Sequence, residues 1–262
     1  MRSSDLIDLG IPFGWRRGSG DWAGVSAALD RRDAIRIIQE AGSTRWQSLL
    51  PADSPVYIGF SDYTATTRET TPEPKARIWI SPIQRRFAPE SAFPKVQWHP
   101  RVLWVGVGCQ RGTSESLIEH AIQKTLRSHH LAEVAIAGIA TIDHKADEAG
   151  LVKFCGDRLP LRFFSAEDLN AVTVPNPSVV VEKLGTFSIA EAAAILAART
   201  YQSADPLKDS LRVAKKIVRV EGQPGSVTVA IAQADREYAD DLKLVEDVLS
   251  NPNHDSQTFG IF

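Results

Sequence analysis

The sequence predicts an α/β chain, with a C-terminal, mostly parallel sheet flanked by helices and a smaller α+β unit ahead of it. Two observations carry this reading. Apolar runs of strand length alternate with segments of helical periodicity between Arg101 and Arg236. The composition also breaks sharply, since all six tryptophans fall within the first 104 of 262 residues, and prolines crowd the stretch from Pro51 to Pro100. The expected units are therefore 1–97, 98–235 and an acidic tail or linker over 236–262.

In the first unit, Trp22–Arg31 predicts a short helix, because Val25, Ala28 and Leu29 share a face. Ala34–Ile38 and Ala76–Ile80 are isoleucine-bearing segments of strand length. Asp62–Lys75, rich in Thr and Pro, predicts a loop. In the second unit, Val102–Val107 is a continuous apolar run suited to a strand buried on both faces. Thr113–His129 follows as an amphipathic helix with Leu117, Ile118, Ala121, Ile122 and Leu126 on one face. Val134–Thr141 and Leu159–Phe164 supply two further strands. Ser165 with Asp168, and Ser188 with Glu191, fit capping boxes, the second opening an alanine-rich helix to Arg199. Lys215–Val220 and Ser226–Ala232 form a terminal strand pair around Gly222, Pro224 and Gly225.

Charge narrows the function classes. With 30 basic and 32 acidic residues the net charge is −2, which gives no electrostatic basis for binding nucleic acid and no polybasic patch for a membrane. No segment has the apolar length to span a bilayer, and MRSSDLIDLG lacks the core of a secretory signal. Cys109 and Cys155 form no CxxC pair, so a cytoplasmic protein with reduced thiols is expected. The six histidines show no metal-ligand spacing.

Three strand-to-helix junctions carry the candidate chemistry. Gly106-Val107-Gly108-Cys109-Gln110-Arg111-Gly112-Thr113-Ser114 offers flexible backbone, a helix N-terminus and a guanidinium, a combination suited to a carboxylate or oxyanion. Gly106, Gly108, Cys109, Arg111, Gly112 and Thr113 are the candidate binding residues. The plainer alternative is a tight turn with Thr113 as the helix cap. The spacing fits neither GxGxxG nor GxxxxGK[ST], which argues against nucleotides. Asp143, His144, Lys145, Asp147 and Glu148 follow the second strand, at the edge where open α/β sheets bind ligands. Asp143 is a candidate general base or a holder of Lys145, and Lys145 a candidate carboxylate or oxyanion partner; the alternative is a surface ion pair. Ser165 and Asn176, in Phe163–Leu169 and Val174–Ser178, lie on turns that could line the same site, with capping and rigid-turn roles as their alternatives. Trp15–Trp22 and Gln39–Trp46 mix aromatics and arginines suited to a flat, acid-bearing ring, or to a small core packed on tryptophan. A lowered thiol pKa for Cys109 at a helix start stands against a buried, inert thiol.

Taken in order, GVGCQRGTS, ATIDHKADEAGL, LPLRFFSAEDL, VPNPS and SIAEAAA resemble the C-terminal region of the cobalamin-biosynthesis protein CbiG family, the cobalt-precorrin-5A hydrolases. GWRRGSGDWAGVSAAL, IQEAGSTRW and ARIWISP resemble its middle region, and the chain starts where that region would. The resemblance implies corrin-ring biosynthesis. It implies hydrolytic opening of a lactone on cobalt-precorrin-5A with release of acetaldehyde, a reaction that would draw on the family's N-terminal domain. Residue chemistry then nominates Asp143 or Glu148 to activate water, beside Lys145 and the Gly108–Thr113 backbone. The resemblance also implies no protein cofactor, the cobalt arriving in the macrocycle. It implies cobalt-precorrin intermediates, other corrin-pathway enzymes such as the C17-methyltransferase, and a second copy of the chain as partners. A non-catalytic carrier of corrin intermediates is the competing function.

Overall fold

A computed structural model describes residues 7–50, 54–59, 72–88, 92–177, 188–199 and 210–238. The expected loop over 62–71, Ser178, and the tail beyond 238 lie outside the described residues.

The first unit is built on five strands, β1 (Arg16–Gly20), β2 (Ile35–Gln39), β3 (Val56–Gly59), β4 (Ala76–Ile80) and β5 (Lys95–His99), in the order β1-β5-β4-β2-β3. Strand β2 is parallel to β3 and β4, β4 is parallel to β5, and β1 runs antiparallel on the edge. Helix α1 (Trp22–Asp30) starts at Asp21, whose carboxylate accepts the Gly24 N–H at 2.8 Å, and buries Val25, Ala28 and Leu29. These meet Ile35, Ile37, Ile78, Ile80, Trp46 and Trp98 in one core. Trp15, Trp46 and Trp98 are buried, so their faces serve packing, and a flat ligand cannot stack on them. Trp22 is partly buried, with its indole N–H donated to Gly18 O and the Arg17 guanidinium over its ring.

The chain passes to the second sheet over Pro100–Val102, two residues beyond the boundary expected from composition. Here β6 (Leu103–Cys109), β7 (Ile136–Ile142), β8 (Leu161–Phe164), β9 (Leu211–Val218) and β10 (Val227–Gln233) take the order β8-β7-β6-β10-β9. Strands β6, β7 and β8 pair in parallel, and β10 is antiparallel to both β6 and β9. Four of the five strands therefore point the same way, with β10 as the exception.

Alternation along the strands sorts the two faces. Val105, Val107 and Ile139 pack with Leu117, Ile118 and Ile122 of α2 (Glu115–Ser128) and with Phe154 of α3 (Ala149–Cys155). On the other face, Trp104, Ala137 and Ala140 meet Leu169 of α4 (Ala166–Asn170) and the alanines of α5 (Ile189–Arg199). Each fully buried Leu, Ile or Phe here contributes about 1.5–3 kcal/mol by leaving water. The alanines bring α5 onto the sheet so closely that a Cβ on Gly106 would lie 1.8 Å from Ala190 O. Gly106 is therefore a packing residue, a correction to its candidacy as a ligand contact. The capping box of Ser165 and Asp168 is formed in full, which commits the Ser165 hydroxyl to the start of α4.

The units join through backbone and side chains. Gln84 N–H donates to His130 O at 2.7 Å, Ala132 N–H to Pro82 O at 2.8 Å, and Ser43 N–H to the Glu237 carboxylate at 2.6 Å.

Candidate functional site

Because β6 and β7 are parallel neighbours, both of their following loops leave the same edge of the sheet. Thr141 ties the strands there by donating its hydroxyl to Val107 O at 2.7 Å. Past β6 the chain turns through Gln110–Thr113, where Gly112 takes a φ of +77° that a side chain would strain. The Thr113 hydroxyl donates to Gln110 O at 2.7 Å, and Ser114 caps α2 by accepting the Leu117 N–H at 3.2 Å. The cap is thus Ser114, where Thr113 was expected. Past β7, Asp143–Lys145 form one 3-10 turn leading into α3. At the start of that helix Gly150 admits the other loop, since a Cβ there would lie 2.2 Å from Thr113 O.

Glu148 binds the two loops together. One carboxylate oxygen accepts the Gly112 N–H at 2.8 Å, and the other meets Lys145 Nζ at 3.1 Å. The side chains of Lys145 and Glu148 are 9% and 3% exposed, whereas the ion pairs Arg17–Asp8, Arg31–Asp33, Lys75–Glu73, Arg85–Glu40 and Arg111–Asp147 are more open to water. Asp143, the expected holder of Lys145, instead accepts the N–H of His144 at 2.7 Å, so the partner of Lys145 is Glu148. The reason is geometric. Residues three apart across this turn face each other, while residues two apart do not.

Arg111 donates from one Nη to both oxygens of Asp147 at 3.1 Å and from the other Nη to His144 O at 3.0 Å, on the exposed side of the loops. Its expected vacant fork is therefore filled by a neighbour. The N–H groups of Gly112 and Thr113 are likewise taken, by Glu148 and by Gln110 O, and are not open donors for an oxyanion. Cys109 closes β6 half-buried beside this cluster. Burial pushes its thiol above the ordinary range, against the pull of Lys145 and a hydrogen bond with Thr113. The direction is opposite to the lowered thiol pKa considered from sequence and favours the alternative of a buried thiol.

Among the described residues Gly108 stands open at this edge, where a Cβ would meet only Thr228 and Ile189 carbons within 4 Å. Asn176 is occupied elsewhere. Its side-chain amide and its backbone N–H donate to the two oxygens of Glu191 at 2.9 and 3.2 Å, and its carbonyl accepts from Lys215 Nζ at 2.6 Å. Glu191 is fully buried and also accepts the Lys215 N–H at 2.9 Å and the Ser188 hydroxyl at 3.4 Å. It fastens the 174–177 turn to α5 and β9, a larger task than the capping box read from sequence.

The arrangement thus supplies one buried ammonium, one carboxylate that orients it, and an exposed carboxylate, Asp143, with one oxygen engaged by a backbone N–H. Among the described residues no group of three or more His, Cys, Asp or Glu side chains is placed to hold a metal ion. No helix among them is long and apolar enough to cross a membrane.

Comparison with known proteins agrees with this division of the chain. Residues 7–100 match the family described as "Cobalamin biosynthesis central region", and residues 103–232 match "Cobalamin synthesis G C-terminus". The chain is 29% identical over 231 residues to the cobalt-precorrin-5A hydrolase of Priestia megaterium, covering 86% of this chain and 57% of that protein. It is 29% identical over 128 residues to the cobalt-precorrin-5A hydrolase of Salmonella typhimurium, covering 48% and 36% of the two chains. The chain thus spans only part of the length of these relatives. Among solved structures it is similar to CobE, a protein from the cobalamin biosynthetic pathway, with 28% identity, a TM-score of 0.41, and coverage of 50% of this chain and 93% of that one.

Proposed function

Since the chain belongs to the CbiG family of cobalamin-biosynthesis proteins, we propose that it takes part in the hydrolytic opening of the cobalt-precorrin-5A lactone, with release of acetaldehyde. The single observation that carries the site is the buried Lys145–Glu148 pair at the carboxyl edge of β6 and β7. Desolvating two charges costs several kcal/mol per ion, and an apolar pair of the same volume is often as stable or more so. A pair kept at a ligand-binding edge of a parallel sheet is therefore read as functional.

The chemistry follows from what each group has left to give. Asp143, with one oxygen unengaged among the described residues, takes the proton as water attacks the lactone carbonyl. Lys145 stabilises the oxyanion that forms, and Glu148 fixes the direction of its ammonium. Collapse breaks the ring C–O bond and gives a carboxylate and an alkoxide. The alkoxide electron pair becomes the C=O of acetaldehyde as its bond to the macrocycle breaks, leaving that bonding pair on the macrocycle for protonation. Cobalt enters as part of the substrate.

The test is incubation of the chain with cobalt-precorrin-5A and enzymatic assay of acetaldehyde. The wild type should release it, and Lys145→Met should lose roughly two to three powers of ten in turnover, the usual loss for one oxyanion partner. Circular dichroism at the assay temperature checks that the variant is folded. Turnover that survives Lys145→Met would remove Lys145 from the mechanism. Tight binding of the intermediate without release of acetaldehyde would replace the hydrolase with a carrier.

A further inference from the structure

A cavity of about 290 Å³ lies between the two units, far from the edge just described. Arg16 of β1 enters it from the first unit, and Arg101, Arg158 and Glu133 enter from the second, over a floor that includes Val134 and Phe154. It opens at the Ile136 end of β7, whereas Lys145 follows the Ile142 end. Seven strand residues put about 20 Å between them.

The three guanidiniums have different positions. Arg101 is buried, with Nε and one Nη donating to Ile136 O and Ala137 O at 3.2 Å, and the same Nη to Arg158 O at 3.4 Å. It is a fixed positive wall. Arg158 is exposed, and its head makes one long bond, to Phe154 O at 3.5 Å. Arg16 is also exposed, and its side chain makes no hydrogen bond or ion pair among the described residues. Glu133 also lines the cavity and lies in no ion pair among the described residues, where it accepts from the Gln123 amide at 3.5 Å. Val134 keeps 47% of its surface in water beside these charges.

We propose that this cavity is a binding site for a small aliphatic carboxylate, held between Arg16 and Arg158 with its chain on Val134 and Phe154. The guanidinium fork matches a carboxylate with two parallel hydrogen bonds, and arginine is weakly enough hydrated to release water for it. Among the described lining residues three guanidiniums stand against one carboxylate, and the two exposed ones, Arg16 and Arg158, favour an anion over a cation. Its volume, at the small end of ligand pockets, admits a short chain and excludes a whole macrocycle. Because the two clamping arginines come from different units, occupancy also ties the units together. The site stands on its own geometry and does not depend on the lactone reaction at the other end of the sheet.

Titration of the isotope-labelled chain with sodium valerate, followed by amide NMR, tests it. Saturable shifts are expected at Val134, Leu159 and Arg16, with weaker binding of the neutral isostere valeramide and of inorganic phosphate. Arg16→Gln and Arg158→Gln should each weaken valerate about tenfold, the usual worth of one charge-assisted contact. Both side chains are exposed, so the variants should melt like the wild type. Absence of shifts at these residues overturns the proposal. So does equal binding of valeramide, which would leave only an apolar hollow, or tighter binding of phosphate, which would leave only a charged one.

Discussion

Removing the ammonium of Lys145 while keeping its length gives the sharpest test of how the candidate site is held. In Lys145→Met the Glu148 carboxylate, 3% exposed, loses the partner at 3.1 Å and keeps only the Gly112 N–H at 2.8 Å. At an effective dielectric constant of about 20 the direct attraction at this distance is about 5 kcal/mol, and most of it offsets the desolvation of the two ions. The net value of the intact pair is therefore small, but the orphaned carboxylate should cost about 3–5 kcal/mol. For a chain of this size that corresponds to a melting temperature lower by roughly 6–20 °C. Adding Glu148→Gln removes the buried charge and keeps an acceptor for Gly112, so the double variant should regain about 2 kcal/mol. Thermal melts followed by circular dichroism at pH 7 measure both steps. A single variant within 1 kcal/mol of wild type, or a double variant no better than the single, would show that the carboxylate is not held as a buried ion and would refute the reasoning.

Two further outcomes follow from packing and burial. Gly106→Ala forces a methyl group against Ala190 O, 1.8 Å from the ideal Cβ, and should destabilise by at least the roughly 1–3 kcal/mol typical of overpacking, measured by urea unfolding; an unaffected variant would mean that α5 sits farther from the sheet. Burial raises the Cys155 thiol to about 12. A thiol with a raised folded-state pKa stays protonated while the unfolded one ionises, so it contributes stability below pH 9 that is lost as pH rises from about 9 to 12. Cys155→Ala should flatten that alkaline decline, and an identical pH profile in the variant would contradict it.

The second sheet was largely legible because burial on both faces writes itself as uninterrupted apolar runs, as in LWVGVGC of β6 and IAGIATI of β7. Strand β1 was not, since RRGSG has no apolar residue and pairs at an edge. Strand β5 hid because KVQWH buries Gln97 and His99, which satisfy loops instead of showing an alternating pattern. Helix α3 is seven residues long and begins within a charged motif, too short for a period to show. At the site, the sequence brought the two loops to one edge, because strand polarity depends only on the α/β alternation. The pairing inside the loops depended on a 3-10 turn whose side chains meet at a spacing of three. Asp143 was therefore the wrong holder for Lys145, and nothing in the spacing revealed that Asp147 would occupy Arg111.

The insertion of β10 beside β6 has a consequence for how the chain is made. Leu103 pairs with Gln233, so a central strand waits for a neighbour encoded some 130 residues later. On the ribosome β6 emerges well before β10, and the backbone N–H and C=O groups that face β10 stay unpaired until then. Pairing at such separation is slow, because the loop-closure entropy is lost before the contacts that offset it are made. An exposed run such as LWVGVGC is adhesive during that interval. Truncation before Val227 should therefore yield insoluble protein, where loss of residues 239–262 leaves every described strand its partner.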